Sequence, residues 1–532
     1  MPVRQRPLAG RAEELATLQQ ALEGAVAGDG GLVMLAGEPG IGKTRLVEEL
    51  ETSAKASSAQ AVWGRCYEDA GAPAYWPWIQ IGRQWGAAND IRLLEPLLGG
   101  EGGELVRLFP ELEQARGFAE PEPLAEPEGA RFRLFQAYTD FIRIVSEQQP
   151  MVIVLDDVHW ADHSSLLLLQ HLGRDVDQMR VLVVCTYRDT ELARTHRLSE
   201  TLAELNRSPG FERILLRGLS KKDVAAYVRE TANVTPMPAV SERIYEATEG
   251  NPFFLGEVVD LLEREGTLEQ DSLSRIAVPE GVKEALGRRL DRLSEDTIGL
   301  LNMAAVIGRE FTHNTLTLVA ERSDEELLRV IEEGLAAWVI EETDHSGRYR
   351  FTHALMRETL LGEVSATRRA RLHGYVADAL ERRDGISGRT REAQLAWHFS
   401  ESATLTPEHV EKALHYSQLA AGRAESVYAW EDAARHYERC LRFLEEGEEL
   451  ELAGILHAHG QAAFAGADWR SAWRGFMQAL DIYRAHDDHL SFARVALDAL
   501  AVRAPVGRLQ AFRDEALQFT SYLTPSWKRA CS

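Results

Sequence analysis

The sequence has few cysteines, no long hydrophobic run and no excess of positive charge. Its four cysteines, Cys66, Cys185, Cys440 and Cys531, form no C-x-x-C pair. This spacing predicts neither a disulfide framework nor a zinc site, and it is typical of a reducing compartment. No apolar stretch approaches the roughly 20 residues that span a bilayer, and the N-terminal residues lack the apolar segment of a signal peptide. We therefore expect a cytoplasmic protein with no membrane partner.

The charge balance is strongly acidic, with a formal net charge of −24 over 532 residues. Sequence-independent binding to nucleic acid depends on neutralising phosphates with basic residues, so this balance argues against it. The 45% hydrophobic and 27% charged content is that of a globular protein. The length exceeds what one hydrophobic core supports and predicts roughly three or four domains.

The most specific motif is the octet G-E-P-G-I-G-K-T at residues 37–44, between an apolar run and an amphipathic segment. This order predicts a strand, a glycine-rich turn and the start of a helix. Such a loop (Walker A) surrounds phosphate oxygens with backbone N–H groups, while its lysine contacts the β- and γ-phosphates and its hydroxyl binds Mg²⁺. We therefore predict ATP or ADP with Mg²⁺ as the cofactor. The loop residues predicted to bind it are Gly37, Pro39, Gly40, Ile41, Gly42, Lys43, Thr44 and Arg45, with Thr44 as a metal ligand.

Two acidic residues end a continuous apolar run at residues 151–155. Such a run predicts a strand buried on both faces of a parallel sheet, and ligands lie at the carboxyl ends of these strands. Aspartate pairs also cap helices and form turns, but here the pair follows a complete phosphate loop. We predict that Asp156 holds Mg²⁺ and that Asp157 orients or deprotonates the attacking water, as in a Walker B motif.

A second apolar run, at residues 181–187, ends in Arg188 and Asp189. At the carboxyl end of a strand, Arg188 would reach the γ-phosphate and sense its presence. The alternative is a surface arginine paired with Asp189. With Lys43 and Asp157, Arg188 completes the predicted catalytic set.

For two further groups of side chains, the sequence favours a role in packing over base stacking or metal binding. The aromatic and proline-rich segment at residues 72–79 contains no basic residue, so packing is favoured over base stacking. His159 and His163 have i, i+4 spacing, but no H-E-x-x-H pattern accompanies them, and packing is favoured over metal binding.

Four segments in order resemble one known group of proteins: GEPGIGKTRL, VLDDVHWAD, TYRDTEL and TEGNPFFLGEVV. They are similar to the signal-transduction ATPases with numerous domains (STAND), which are AAA+ P-loop ATPases. Examples are the ATPase modules of large LuxR-type (MalT-like) bacterial regulators and of adenylate-cyclase-associated proteins. The likeness extends from about Gly10 to Phe399.

The resemblance implies the fold class. It is an α/β P-loop NTPase core with an AAA+-like five-stranded parallel sheet of order 5-1-4-3-2. An all-α lid, a winged-helix domain and TPR-like α-helical repeats follow the core. We place the core at 1–219, the lid at 220–275, the winged helix at 276–385 and the repeats at 386–532.

The resemblance also assigns residues outside the phosphate loop. Gly10 and Arg11 match an element that walls the adenine, although a glycine before a helix also serves as a turn and cap. Pro252 lies in the lid motif near the nucleotide. His353 corresponds to a histidine that contacts the β-phosphate of ADP, and the alternative is a hydrogen-bonded histidine at a strand end.

The winged-helix region consists of predicted helices followed by a β-hairpin pattern at residues 338–353. Such domains often bind DNA. The helix at 324–334, in the recognition position, carries four glutamates that would repel phosphates. We therefore expect an internal switch element and no direct DNA binding.

The C-terminal region repeats itself with an offset of 39 residues. The matching sets are Trp430, Ala433, Tyr437, Cys440 and Leu441 and Trp469, Ala472, Phe476, Ala479 and Leu480. The A-x-x-x-[YF]-x-x-[AC]-L pattern resembles a tetratricopeptide repeat. A third copy near Ala511 is weak, so we expect an array cut short relative to its family. A protein partner or a small-molecule inducer is expected to bind these repeats.

The leading hypothesis is a regulatory switch in bacterial signal transduction or transcriptional regulation, with slow ATP hydrolysis controlling conformation and assembly. Two alternatives stay open: a constitutive oligomeric AAA+ ATPase, and a nucleotide-stabilised scaffold or truncated regulator without its own output domain. Nucleotide-dependent homo-oligomerisation is compatible with the regulatory switch and with the constitutive ATPase.

Overall fold

The computed structural model describes residues 8–67, 71–90, 93–94, 101–114, 127–191, 197–264, 287, 290, 293–320, 322–343, 346–382, 391–444 and 448–502. The predicted domain boundaries at 275 and 385 and the third repeat copy near Ala511 lie outside the described residues. Among the described helices, none is long and apolar enough to cross a membrane.

Five parallel strands form the sheet of the first unit. They are β1 (Gly31–Ala36), β2 (Gln60–Arg65), β3 (Met151–Asp156), β4 (Val181–Tyr187) and β5 (Phe211–Leu215). Their order is β2-β3-β4-β1-β5, and every pair is parallel. This confirms the predicted sheet. Every residue of β1, β3 and β4 is buried, because helices cover both faces of a parallel sheet.

Six helices accompany this sheet: α1 (Ala12–Ala27), α2 (Lys43–Ala56), α3 (Trp76–Ala88), α4 (Pro127–Gln148), α5 (His163–Leu172) and α6 (Arg197–Leu205). The aromatic segment at residues 72–79 packs in the interior beside these helices, as predicted. Tyr75 and Trp78 are completely buried. The Trp78 indole donates to the Ser165 carbonyl at 3.0 Å, and the Tyr138 hydroxyl donates to the Trp78 carbonyl at 2.8 Å.

Three helices follow the core: α7 (Lys221–Ala232), α8 (Pro238–Thr248) and α9 (Pro252–Arg264). Ser220 caps α7, accepting from the Asp223 N–H while the Asp223 side chain accepts from the Ser220 N–H. This reciprocal capping box satisfies two backbone donors that a helix start leaves open. The three helices share a small apolar core of their own, which includes Val224, Ile244 and Leu255.

The next unit contains helices around a small antiparallel sheet. Its elements are α10 (Glu295–Ile307), β6 (Glu310–Thr312), α11 (His313–Ala320), α12 (Asp324–Ala336), β7 (Ile340–Glu342), β8 (Arg348–Phe351), α13 (Ala354–Glu363) and α14 (Ala366–Arg382). Strands β7 and β8 form the predicted hairpin. Strand β6 pairs with β8 on its other edge and was not predicted, because three residues are too few to show an alternating pattern.

Six helices complete the described chain: α15 (Arg391–Ala403), α16 (Glu408–Ser426), α17 (Trp430–Leu441), α18 (Glu449–Ala465), α19 (Trp469–Ala485) and α20 (His489–Ala501). The 39-residue repeat is visible in the backbone. Before α17 and α19, Tyr428 and Ala467 both have positive φ, 59° and 61°. An α/β core followed by helical repeats is the predicted fold class, which is confirmed.

Candidate functional site

The phosphate loop joins β1 to α2 through glycines with left-handed backbone. Gly40 and Gly42 have φ of 80° and 99°, where a side chain would be strained. The Lys43 ammonium folds back over the loop and donates to the carbonyls of Gly37 at 2.7 Å and Glu38 at 3.0 Å. The loop therefore has the predicted turn, and two carbonyl groups of that turn hold the lysine side chain.

Lys43 is a buried cation whose described hydrogen bonds are to carbonyl groups, with the side chain 7% exposed. Burial lowers its pKa, while the nearby Asp157 and Asp156 carboxylates raise it. Removing a cation from water is costly unless an anion compensates. A phosphate group entering the loop would supply that compensation.

Asp156 ends β3 and faces two hydroxyl groups. The Thr186 hydroxyl donates to its Oδ1 at 2.6 Å, and the Thr44 hydroxyl donates to the same oxygen at 3.4 Å. Its Oδ2 is buried and has no hydrogen-bond partner among the described residues. A threonine hydroxyl next to a carboxylate with an open oxygen is the donor set that Mg²⁺ takes beside phosphate and water oxygens. These residues therefore fit the metal.

Asp157 follows the strand in a left-handed conformation with φ of 59°. Its N–H donates to the Thr186 hydroxyl at 2.8 Å, so Thr186 holds both aspartates in place. One carboxylate oxygen of Asp157 accepts from Arg309 at 3.1 Å. Neither Thr186 nor Arg309 was singled out from the sequence.

Arg188 lies at the carboxyl end of β4 and is 6% exposed. The alternative of a surface arginine is therefore wrong. Its guanidinium donates to Glu358 of α13 at 3.0 Å, which joins the core to the unit with the antiparallel sheet. Glu358 could not be selected from the sequence, because 170 residues separate the pair.

The segment before α1 contacts the phosphate loop and helps to hold it in place. Gly10 has φ of 65°, and a β-carbon there would lie 2.7 Å from Cγ of Asp223. Arg11 is 5% exposed and donates to the carbonyls of Ile41 and Arg217. Arg11 thus connects the phosphate loop to the segment that follows β5.

The unit of α7, α8 and α9 contributes contacts from the Gly-Asn-Pro-Phe-Phe motif at residues 250–254. The Asn251 amide donates to the Pro39 carbonyl at 3.0 Å, and the Phe253 N–H donates to the Gly40 carbonyl at 3.3 Å. Pro252 lies between them, with its Cγ 4.0 Å from the place where a β-carbon on Gly42 would stand. Asn251 and Phe253, which make these contacts, are not among the residues that the sequence predicts for the site.

His353 precedes α13 and stacks on Phe253 of α9, with ring centroids 4.1 Å apart. Its Nδ1 accepts from the Leu355 N–H at 3.2 Å. Burial and the positive charges of Arg309 and Arg188 lower the pKa of His353 to about 3. The ring is therefore neutral at physiological pH, and with Nδ1 as acceptor its Nε2 carries the proton.

These groups surround one cavity of about 380 Å³, a size typical of small-molecule sites. The predicted residues that line it are Arg11, Pro39, Gly40, Ile41, Gly42, Lys43, Thr44, Arg45, Asp157, Arg188, Pro252 and His353. Gly10, Gly37 and Asp156 lie behind this lining. Residues lining it that were not predicted include Arg65, Tyr227, Phe253, Arg309 and Arg350. The arrangement joins the core, helix α9 and the antiparallel unit at one place.

The two histidines after Asp157 have separate surroundings. His159 is 4% exposed, and its ring centroid lies 5.0 Å from that of Trp160. His163 starts α5 and lies 3.6 Å from a Glu431 carboxylate oxygen. Within the described residues, no group of three or more His, Cys, Asp or Glu side chains is placed to hold a metal ion.

Residues 7–184 match the family model of the AAA ATPase domain. This part of the chain is therefore an AAA ATPase domain, and the recognition of an AAA+ P-loop ATPase is confirmed. Domains of this family bind nucleotide, usually with Mg²⁺. The match ends within β4, before the lid and the helical regions.

Two curated proteins are similar to the chain. An uncharacterised protein of Rhizobium meliloti is 25% identical over 80% of this chain and 42% of its own length. A peroxide stress-activated histidine kinase of Schizosaccharomyces pombe is 20% identical over 58% of this chain and 14% of its own length. The chain thus spans less than half of either relative.

Two solved structures are also similar. One is a STAND protein with a tetratricopeptide repeat sensor from Pyrococcus horikoshii, 15% identical, covering 99% of this chain and 74% of that one with a TM-score of 0.45. The other is RuvB of Thermotoga maritima, 17% identical, covering 68% of this chain and 99% of that one with a TM-score of 0.28.

Proposed function

We propose that the chain is a regulatory switch of the STAND type that binds Mg²⁺-ATP and hydrolyses it slowly. The observation that carries the proposal is the single cavity in which the phosphate loop, the lid and the antiparallel unit meet. A nucleotide in that cavity touches all three at once. Its phosphates would therefore control how the three pack together.

The proposal assigns roles to named residues. Lys43 binds the β- and γ-phosphates, Thr44 and Asp156 hold Mg²⁺, and Asp157 orients the attacking water. When bound, Mg²⁺ would supply positive charge that neutralises the phosphates. Arg11 supports the loop and the adenine end, and neutral His353 offers its Nε2–H to a phosphate oxygen. The carbonyl contacts of Lys43 and the shared Thr186 hydroxyl support these roles.

The switch depends on an exchange of partners at Arg188. Its guanidinium donates to Glu358 of α13 at 3.0 Å. A γ-phosphate would compete with that carboxylate for the same cation, whereas ADP leaves the pair intact. This difference in contacts between ATP and ADP is what any population shift requires. ATP would thereby favour release of α13 from the core, and ADP would favour its retention.

The domain division belongs to the same proposal. The core ends near residue 219, the three-helix lid near 275, and the antiparallel unit, as a winged helix, near 385. The helix in the recognition position, α12, begins with three consecutive acidic residues, Asp324, Glu325 and Glu326. The winged helix then serves as an internal switch, with no direct DNA binding.

The helical repeats would receive a protein partner or a small inducer. They are in contact with the core on the side of α5, through Arg131 with Glu431 and Ser164 with Asp432. A ligand that alters these repeats would therefore act on the element that follows Asp157. The proposed setting is signal transduction or transcriptional regulation in bacteria. In that setting, the contact between the repeats and the core would transmit the signal of a bound partner or inducer.

Nucleotide binding by the full chain tests the proposal. We expect wild-type protein to bind ATP and ADP, and Lys43→Ala to weaken both by about tenfold to hundredfold, because charge-assisted hydrogen bonds to phosphate are lost. Lys55→Ala is the matched control, since Lys55 is an exposed lysine at the other end of α2. Isothermal titration calorimetry measures all three. Equal affinities in wild type and Lys43→Ala would contradict the assigned site.

A further inference from the structure

Arg309 is a residue of the antiparallel unit that reaches into the core. It lies between α10 and β6, and it lines the cavity of the phosphate loop. Its side chain is 23% exposed, while those of Asp156 and Asp157 are 1% and 16% exposed. It is therefore a largely buried cation beside two largely buried carboxylates.

The geometry aims Arg309 at the oxygens of the expected metal site. Its Nη1 lies 3.1 Å from Oδ2 of Asp157 and 3.9 Å from Oδ2 of Asp156. The second of these oxygens is the one without a hydrogen-bond partner among the described residues. The guanidinium therefore supplies positive charge where Asp156 would otherwise offer an open oxygen to Mg²⁺.

Two buried carboxylates need a counter-cation, because an unpaired buried charge is costly. A divalent ion held by Asp156 would supply that charge itself. Arg309 and Mg²⁺ therefore compensate the same pair of carboxylates, and the gain from one is reduced by the presence of the other.

We propose that Arg309 is an internal counter-cation of the metal site, and that Mg²⁺ entering with the nucleotide displaces it from Asp156 and Asp157. This inference rests on the proposed function. It adds a second contact, besides Arg188 with Glu358, through which nucleotide state acts on the antiparallel unit. Mg²⁺ acts through the aspartates and the γ-phosphate acts through Arg188.

The neighbouring residue gives the matched control. Glu310 forms an ion pair with Arg65 at the end of β2, so it also fastens the start of β6 to the core. Its described ion pair is with Arg65, whereas that of Arg309 is with Asp157. Glu310→Gln removes one docking ion pair and leaves Arg309 in place, whereas Arg309→Gln removes one docking ion pair and the counter-cation together.

The test is the Mg²⁺ dependence of binding of a fluorescent ATP analogue to the full chain. We expect Arg309→Gln to lower the Mg²⁺ concentration at half-saturation by about tenfold relative to wild type. Glu310→Gln is expected to leave the Mg²⁺ dependence as in wild type. Thermal unfolding of both variants checks that they are folded.

Two results would overturn the inference. If Arg309→Gln weakens analogue binding equally with and without Mg²⁺, Arg309 is a phosphate ligand. If both variants shift the Mg²⁺ dependence alike, loosened docking is the cause and no competition exists. Failure of the proposed function is a different result, because wild-type protein would then bind no analogue at any Mg²⁺ concentration.

Discussion

Buried histidines couple protonation to the stability of this chain. His373 and His398 contact each other between α14 and α15, with their Nδ1 atoms 2.9 Å apart, and are 4% and 2% exposed. Burial and the charges of Arg369 and Arg357 lower the pKa of His373 to about 4, and burial and His373 lower that of His398 well below its usual value. Both rings are therefore neutral in the folded chain near pH 7.

This contact predicts a loss of stability in mild acid. Between pH 6.5 and pH 4 the unfolded chain binds a proton at His373 and the folded chain does not. The free energy of unfolding therefore falls as pH falls, by at most about 1.4 kcal/mol per pH unit for this one group. In His373→Gln the slope over this window should be shallower, as measured by urea unfolding at several pH values. An unchanged slope would contradict the assignment.

At the scale of residues, the sequence predicted the site residues that are close together in the chain. It missed those that come from distant parts of the chain. Lys43 and Thr44 follow from one octet, because the loop is built from neighbours in the chain. Arg309 is 152 residues from its partner Asp157. Its role depends on where the antiparallel unit docks, and docking leaves no local pattern in the sequence.

At the scale of elements, α13 is the helix most directly placed to respond to nucleotide. It carries Glu358, the partner of Arg188, and His353 caps its N-terminus. Because the Arg188–Glu358 pair must open for a γ-phosphate to bind, weakening the pair should favour ATP over ADP.

Glu358→Gln tests this role of α13. We expect it to raise the ratio of ATP to ADP affinity about threefold to fivefold, a modest change because Glu358 is 35% exposed and its ion pair is partly screened. Glu363→Gln is the control, since Glu363 is an exposed glutamate on the same helix. Competition binding with both nucleotides gives the ratio. A ratio unchanged in Glu358→Gln would exclude the proposed exchange of partners.

Elements with a strong periodic or repeated pattern were predictable, and short ones were not. The hairpin of β7 and β8 and the 39-residue offset of α17 and α19 follow from alternation and self-similarity. The offset even extends to backbone hydrogen bonds, since Ala429 N–H to Ala424 and Asp468 N–H to Ala463 occupy matching positions. Strand β6 has three residues, and its pairing is decided by packing alone.

At the scale of the whole molecule, the helical repeats fold back onto the ATPase core. Arg131 binds both carboxylate oxygens of Glu431 at 3.0 and 3.1 Å. The Tyr428 hydroxyl donates to buried Glu104 at 3.2 Å, and Arg107 lies over the Tyr428 ring. The sequence predicted the repeats but could not predict this contact, which joins residues about 300 positions apart.

This architecture connects the cavity of the phosphate loop to the antiparallel unit, and it connects the core to the helical repeats. The antiparallel unit is attached through Arg188, His353 and Arg309. The repeats are attached through α4, α5 and the segment of Glu104. A change of nucleotide that releases the first contact would alter the shape of the chain and expose surfaces for assembly. The central claim is therefore that molecular size depends on which nucleotide is bound.

Size-exclusion light scattering with nucleotide exchange tests that claim most directly. The full chain is measured with Mg²⁺ and either ADP or a non-hydrolysable ATP analogue, with Lys43→Ala in parallel. The account predicts exchangeable nucleotide, a compact form in ADP, and a larger or assembled form in the analogue that Lys43→Ala abolishes. The same mass and radius in both nucleotides, with both bound, would contradict the switch and leave a nucleotide-stabilised scaffold.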